Sequence, residues 1–557
     1  MNGAAGSRAD LLVTGRVATL AGGRASGFGW LEAIAIHDGR VVAAGSASDV
    51  EGLTDPGTHR LALEPGEVAI PGIIDAHLHL AERGMAADRV NLTEAATLSD
   101  GLEIVAGVAS RVTTGGWIQG HGWLADRWGG WPTADRIEAV SAGHPAAIWA
   151  HDHHAIWANE TAIRLAGLDA TTPDPPGGAI RRLEDGRPAG VFHEAASRLI
   201  TSRIPPPSAD EIAGSIGPLV EQLLAHGVTG VHDPGALSLQ AGLGPAIDAY
   251  RGLAATGGLR IRIHVCVREE QLDAALEAGL RSGRPIEAAD DGVRLRFGWL
   301  KLFADGTLGS RSASMLEPFE PEPDGSPQPG DGRGLWMTEP ERLVELVRRA
   351  ADAGIGCLIH AIGDRAVRVA LDALEPVAGA TRPVMPRLEH VQLATEADVG
   401  RFARAGIAAS VQPIHLRSDA EAARRLWGAR AEHDGYRLRS ILETGAILAF
   451  GTDAPVESID PWPGIEIAVT RRSRSWPGED RFGASEALSV ADALRAATVG
   501  PATTAGTPDR GRLVPGSVAD VVVIPAAALE GPVEPGGLLG RVRPRLVLVD
   551  GEVAFER

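Results

Sequence analysis

The chain has 557 residues, with 53 Lys plus Arg against 72 Asp plus Glu and a formal charge of −19. Hydrophobic residues make up 44% and charged residues 22%, which suits a packed core and excludes disorder as the main state. The acidic balance argues against nucleic acid or an anionic membrane as the main partner. Two cysteines, Cys266 and Cys357, exclude a disulfide framework and a Cys-rich metal site. MNGAAGSRAD at the start has no basic or long apolar leader signal, and no later run reaches about 18 uncharged apolar residues. The expectation is a soluble cytoplasmic protein acting on a small molecule, with a homodimer as a weak prior.

LLVTGRVATL and LEAIAIHDGRVVAAGS alternate apolar and polar residues around Asp38-Gly39, and PRLVLVDGEVAFE repeats the style around Asp550-Gly551. Short β segments at both ends of a long chain predict one small sheet domain built from 1–67 and 506–557. Between them lie eight strand-like runs, at 68–79, 227–233, 259–267, 295–305, 354–363, 386–392, 406–413 and 446–455. Helical patterns separate several of them, as in TEPERLVELVRRAADAG (338–354), with an acidic first turn and a glycine stop. Eight strands with intervening helices predict a TIM-type (β/α)8 barrel over 68–505, with its chemistry at the strand C-terminal ends. Residues 80–226 are too long for one connection and predict an insertion after the first barrel strand, covering the active site.

Of the 53 basic residues a single one is lysine, Lys301, in FGWLKLFADG. In a chain so rich in arginine, a lysine is retained where arginine fails chemically. Arginine keeps its proton and cannot act as a nucleophile, a Schiff-base former or a carbamate carrier. Histidines stand at the ends of the expected strands: His77 and His79 at the first, His360 at the fifth and His390 at the sixth, with Asp453 at the eighth. At spacing i, i+2 the first two share a face. Imidazoles and a carboxylate converging from different strands are the donor set of a zinc-type site.

With these residues the sequence resembles the amidohydrolase superfamily. IPGIIDAHLHL, the strand lysine, the two later histidines and GTDAP carry the likeness over almost the whole chain. GHGWLADRWGG (120–130), HDHHAIWANETAIRLAGL (151–168), PDPPGGAI (173–180), WLKLFADGTLGSRSA (299–313), HAIGDRAV (360–367), EHVQL (389–393) and SVQPIHLRSD (410–419) narrow it to the YtcJ-like branch, which includes N-substituted formamide deformylases. The resemblance implies a distorted (β/α)8 barrel with a β-sandwich from both termini. It implies one or two divalent metal ions, zinc first and Mn, Co, Ni or Fe as alternatives. His77 and His79 would hold one ion, His360 and His390 the other, with Lys301 bridging as an N6-carboxylated side chain. Asp453 would ligate the first ion and act as general base.

The implied reaction is hydrolysis of a C–N bond by metal-activated hydroxide, on an N-substituted formamide or similar small amide with an apolar or aryl substituent. Alternatives on the same fold are hydrolysis of a cyclic amide, urea or carbamate, and deamination; from another class, a metal-free binding protein. Around the centre, His154 and Asn159 either reach substrate, or the segment serves a helix start at Asp152 or a solvated histidine run. Trp123 and Trp157 either wall an apolar pocket or pack the insertion's own core. Asp305 and Arg311 either orient substrate or serve the turn around GTLGSR. His415 either donates to a tetrahedral intermediate or lies at the surface. Glu389 is expected to face away from His390 and to pair with an arginine.

Overall fold

The computed structural model describes residues 8–86, 89–113, 115–125, 127–150, 155–175, 178–194, 196–235, 243–286, 294–309, 311–321, 332–381 and 383–557. The chain forms two compact units, 1–81 with 216–557 and 82–215. The first contains an eight-stranded parallel sheet: β1 (Ile73–Asp75), β2 (Val228–Asp233), β3 (Arg262–Arg268), β4 (Leu295–Phe303), β5 (Cys357–Ala361), β6 (Arg387–His390), β7 (Ala408–Val411) and β8 (Leu448–Phe450). Each strand pairs with the next in chain order, and the Ala76 amide donates to the Phe450 carbonyl at 2.9 Å, bringing the eighth back to the first. That closure makes the sheet a barrel. The expected helix at 338–354 spans Pro340–Asp352 and buries Leu343, Leu346, Val347 and Ala350, one stripe at helical spacing.

Both termini share one hydrogen-bonded sheet. The β-sandwich built from the two chain ends is continuous along Glu552–Glu556, Leu546–Val549, Val521–Pro525, Glu67–Pro71, Leu11–Ala18, Trp30–His37 and Arg40–Gly45. Alternation sends Val13, Ile34 and Ile36 into one apolar cluster and Leu12, Ala33 and Ala35 into another. Asp38-Gly39 and Asp550-Gly551 both take positive φ at each residue (48° and 69°, 54° and 75°), the backbone of a tight hairpin turn.

One expectation needs correcting. The segment 68–79 is not one barrel strand: Glu67–Pro71 pairs with Val521–Pro525 in the terminal sheet, and only Ile73–Asp75 enters the barrel. Gly72 marks the change of sheet. A Cβ there would stand 2.2 Å from Thr229 Oγ1, so only glycine lets the two sheets meet so closely.

Residues 82–215 build a six-stranded sheet in the order Gly178–Arg182, Pro188–Glu194, Ala155–Ala158, Ala146–Ala150, Ile118–Trp123, Val90–Asn91. Its core holds Trp123 and Trp157, with Trp128 between them at ring distances of 6.5 and 5.8 Å. No helix among the described residues is long and apolar enough to cross a membrane.

Candidate metal centre

The polar residues sit where the strands end, and the backbone there is bent to turn them inward. His77 and His79 follow β1, and Asp453 follows β8 by three residues. His390 (φ 71°), Val391 (φ 45°) and Asp453 (φ 59°) take the left-handed conformation that L residues avoid, a strain held only where the surroundings fix it. The fixing is visible. The Asp453 amide donates to the His77 carbonyl at 2.7 Å, and buried Asp75 accepts from the His77 amide, the Thr452 amide and Thr452 Oγ1 at 3.0, 3.1 and 2.6 Å. Burial still pushes the Asp75 carboxyl up to about 7 against those donors.

Three imidazoles face one carboxylate. His77 Nε2 and His79 Nε2 lie 3.4 and 3.5 Å from Asp453 Oδ1, and His415 Nε2 lies 3.6 Å from Oδ2. His390 packs against His77, His360 and His415 with ring distances of 5.2, 4.4 and 6.0 Å. His77, His390 and Asp453 can each offer one ligand atom with all three atoms within 4.8 Å of one another. His390 Nδ1 is buried and has no hydrogen-bond partner within the protein, a lone pair or N–H with nothing to serve it.

The outer ring nitrogens are engaged behind the centre. His77 Nδ1 makes a short contact with Glu389, and His79 Nδ1 reaches the Gly235 carbonyl at 3.1 Å, so each presents Nε2 toward Asp453. His360 is turned the other way, its Nε2 on the Gly306 carbonyl at 3.0 Å. Burial lowers His77 to about 4 and His360 to about 3, with the Lys301 charge adding to both; His390 is held well below its usual range by burial and then by His360. Burial favours the neutral form of each of these rings. The Asp453 carboxyl is held well below its usual range because His77, His79, His390 and His415 outweigh burial. Neutral imidazoles beside an anionic carboxylate, with one buried nitrogen unserved, fit a divalent cation.

Lys301 lies in β4 at 2% exposure, its Nζ 4.7 Å from the Phe303 ring centre. Burial pulls its amine down to about 8, Arg268 adds to the effect, and Glu389 and Asp453 oppose it. Asp305 is fully buried and accepts from the Ser314, Ile362 and Gly363 amides at 2.8, 3.0 and 2.9 Å, clamping the loops after β4 and β5 beside His360. Arg311 occupies a left-handed position (φ 54°) in the turn after β4, its amide on the Leu308 carbonyl. His415 is buried, in the 3-10 turn after β7.

The remaining sequence candidates lie in the other unit. Asn159 caps the helix Glu160–Leu165: its Oδ1 accepts from the Ala146 and Ala162 amides and its Nδ2 donates to the His144 carbonyl, so both ends of the amide are engaged locally. Trp123 and Trp157 are buried there, with their indole N–H groups on the Ile148 and Thr133 carbonyls. His154 lies outside the described residues.

The sequence reading missed Arg387 as the arginine concerned and the contact of Glu389 with His77. Glu389 does pair with an arginine, Arg387, at 2.8 Å, and it also reaches His77. Arg387 donates to the Ala76 carbonyl at 2.7 Å and contacts His232 Nδ1 at 2.9 Å, so a fully buried cation anchors the carboxylate behind His77. Burial alone would raise Glu389; Arg387, His77 and Lys301 bring it down to about 2. The available signal was two opposite charges at i, i+2 in a four-residue buried strand. Glu389→Gln is expected to weaken metal affinity about 10–100-fold with the fold intact, read by chelator competition; unchanged affinity would reduce Glu389 to a packing role.

Known proteins resemble this chain along its length. Residues 65–555 match the amidohydrolase family. Protein LONG AFTER FAR-RED 3 of Arabidopsis thaliana is 33% identical, covering 93% of this chain and 88% of its own. The N-substituted formamide deformylase of Arthrobacter pascens is 27% identical over 94% and 95%. Among solved structures, an uncharacterized metal-dependent hydrolase from Pyrococcus horikoshii OT3 superposes with a TM-score of 0.76 at 28% identity, covering 92% of this chain and 97% of that one.

Proposed function

Since the chain belongs to the amidohydrolase family and is a hydrolase acting at carbon–nitrogen bonds, we propose that it cleaves an N-substituted formamide or similar small amide bearing an apolar or aryl substituent. The observation that carries this reading is the convergence of His77, His79 and Asp453 Oδ1 at 3.4 and 3.5 Å, with His390 close by. His77, His79 and Asp453 would hold one divalent ion, zinc by donor type, and His360 and His390 a second, with Lys301, N6-carboxylated, as a further ligand. When bound, such ions polarise a carbonyl and lower the pKa of water.

The chain's own groups move the proton. Asp453 takes it from the attacking water as the C–O bond forms and delivers it to the leaving nitrogen as the C–N bond breaks. His415 Nε2, 3.6 Å from the second Asp453 oxygen, donates to the tetrahedral oxygen. Retained neutrality of the buried rings lets metal bind near neutral pH without expelling protons. The proposed site of action is the cytoplasm.

The test is a panel of N-substituted formamides, ureas, carbamates, lactams and amino-substituted rings, scored for released amine, acid or ammonia by metal-loaded protein. Turnover of formamides above the other classes is expected. Preference for lactams or ureas would move the substrate class, and no turnover of any class would contradict the reading.

A further inference from the structure

A second polar cavity lies at the opposite end of the strands, near the starts of β2 and β3. It is lined by Thr229, His232, Arg262 and His264 from the barrel and by Thr507, Arg510 and Asp520 from the chain leading into the terminal sheet, and has room for about one water-sized species. Thr229 Oγ1, Arg262 Nε and His264 Nε2 are buried there without a hydrogen-bond partner in the protein. Thr229 is 1% exposed and His264 4%. Buried polar atoms are nearly always served, so three such atoms on one small cavity indicate an occupant.

The charges around the cavity give its sign. Arg262 pairs with Asp520 at 2.5 Å and also with Asp550, but Asp550 is shared with Arg294 at 2.6 Å. Asp509, on the same segment, pairs with Arg40 near the surface at 3.1 Å. Burial lowers His264 well below its usual range, and the charges of Arg510, Arg296 and Arg387 add to it. Arg510 itself is drawn down to about 9 by burial, Arg262 and Arg296, against Asp520 and Asp509. Two arginines, Arg262 and Arg510, line the cavity against one carboxylate, Asp520, so the lining carries a net positive charge that a neutral water leaves unanswered.

We propose that this cavity is a binding site for a small monatomic anion of the halide class, held by Thr229 Oγ1, His264 Nε2 and the Arg262 guanidinium. Neutral His264 supplies an N–H donor and threonine an O–H donor. The anion ties β2 to β3 and binds only the assembled site, so it stabilises the folded state by mass action.

The test uses full-length protein in two measurements. Crystals grown in sodium bromide are expected to show an anomalous peak within hydrogen-bond distance of Thr229 Oγ1 and His264 Nε2. Melting curves are expected to rise saturably by about 2 °C or more in chloride and bromide but not in gluconate at equal ionic strength. That increment should vanish in Thr229→Val, with His264→Phe as a second variant. A peak-free cavity, identical chloride and gluconate curves, bromide density without saturable stabilisation, or an increment unchanged in Thr229→Val would each overturn the proposal.

Discussion

Lys301→Arg is expected to lose at least one metal equivalent and to lower kcat/KM by about 10³-fold or more, on the order of 4 kcal/mol of transition-state stabilisation. The argument runs from burial. At 2% exposure, desolvation brings the lysine amine to about 8, leaving a neutral fraction near neutral pH that can take up carbon dioxide. The product is an anion on a long stem. Arginine cannot make it, and its permanent cation would stand beside His77, His360 and His390, the rings whose basicity the Lys301 charge already depresses. The sign with pH follows: metal reconstitution of stripped protein in bicarbonate should speed up as pH rises toward 8, because the neutral amine is the reactive form. Lys301→Ala leaves a gap, and millimolar short carboxylic acids should restore part of its activity. An Arg variant with full metal occupancy, or an Ala variant deaf to added acid, would make Lys301 a plain hydrogen-bonding cation.

Asp453→Asn is expected to cost about 10²–10⁴ in kcat, the range of a general base, while much of the metal stays because the amide oxygen can still ligate. This carboxylate is held well below its usual range among four histidines, with two ring nitrogens 3.4 and 3.5 Å from one oxygen. The acid limb of the wild-type pH–rate profile should disappear in the variant. A variant with unchanged kcat would put the proton on another group, with His415 nearest the second oxygen.

Much of this site was legible in the sequence because strand geometry is simple. His77 and His79 at i, i+2, His360 and His390 at strand ends and a lone lysine in an arginine-rich chain all point to one end of a barrel. The split of 68–79 was hidden, because both halves are apolar and only the closeness of Thr229 to Gly72 separates the sheets. Glu389 was read correctly as facing away from His390 and pairing with an arginine, but its contact with His77 was hidden for a physical reason. Alternation does set it apart from His390, but His390 has left the strand conformation at φ 71°. It turns toward Asp453 while Glu389 backs onto His77 from within the barrel. Arg387 and the polar lining near the strand starts were equally hidden, since a charged residue in a short buried strand shows its partners only once eight strands are assembled. The tryptophans and Asn159 show the opposite limit: motif likeness marked them, and packing within residues 82–215 uses their polar atoms.

The central claim, that the residues at the strand ends form a divalent metal centre, is most directly tested by elemental analysis of purified wild-type protein beside His77→Ala. The account predicts at least one equivalent of a divalent transition metal in the wild type, approaching two when bicarbonate is supplied, and a clear loss in His77→Ala. Wild-type protein with well under one equivalent, and none gained on dialysis against zinc or manganese, would contradict it.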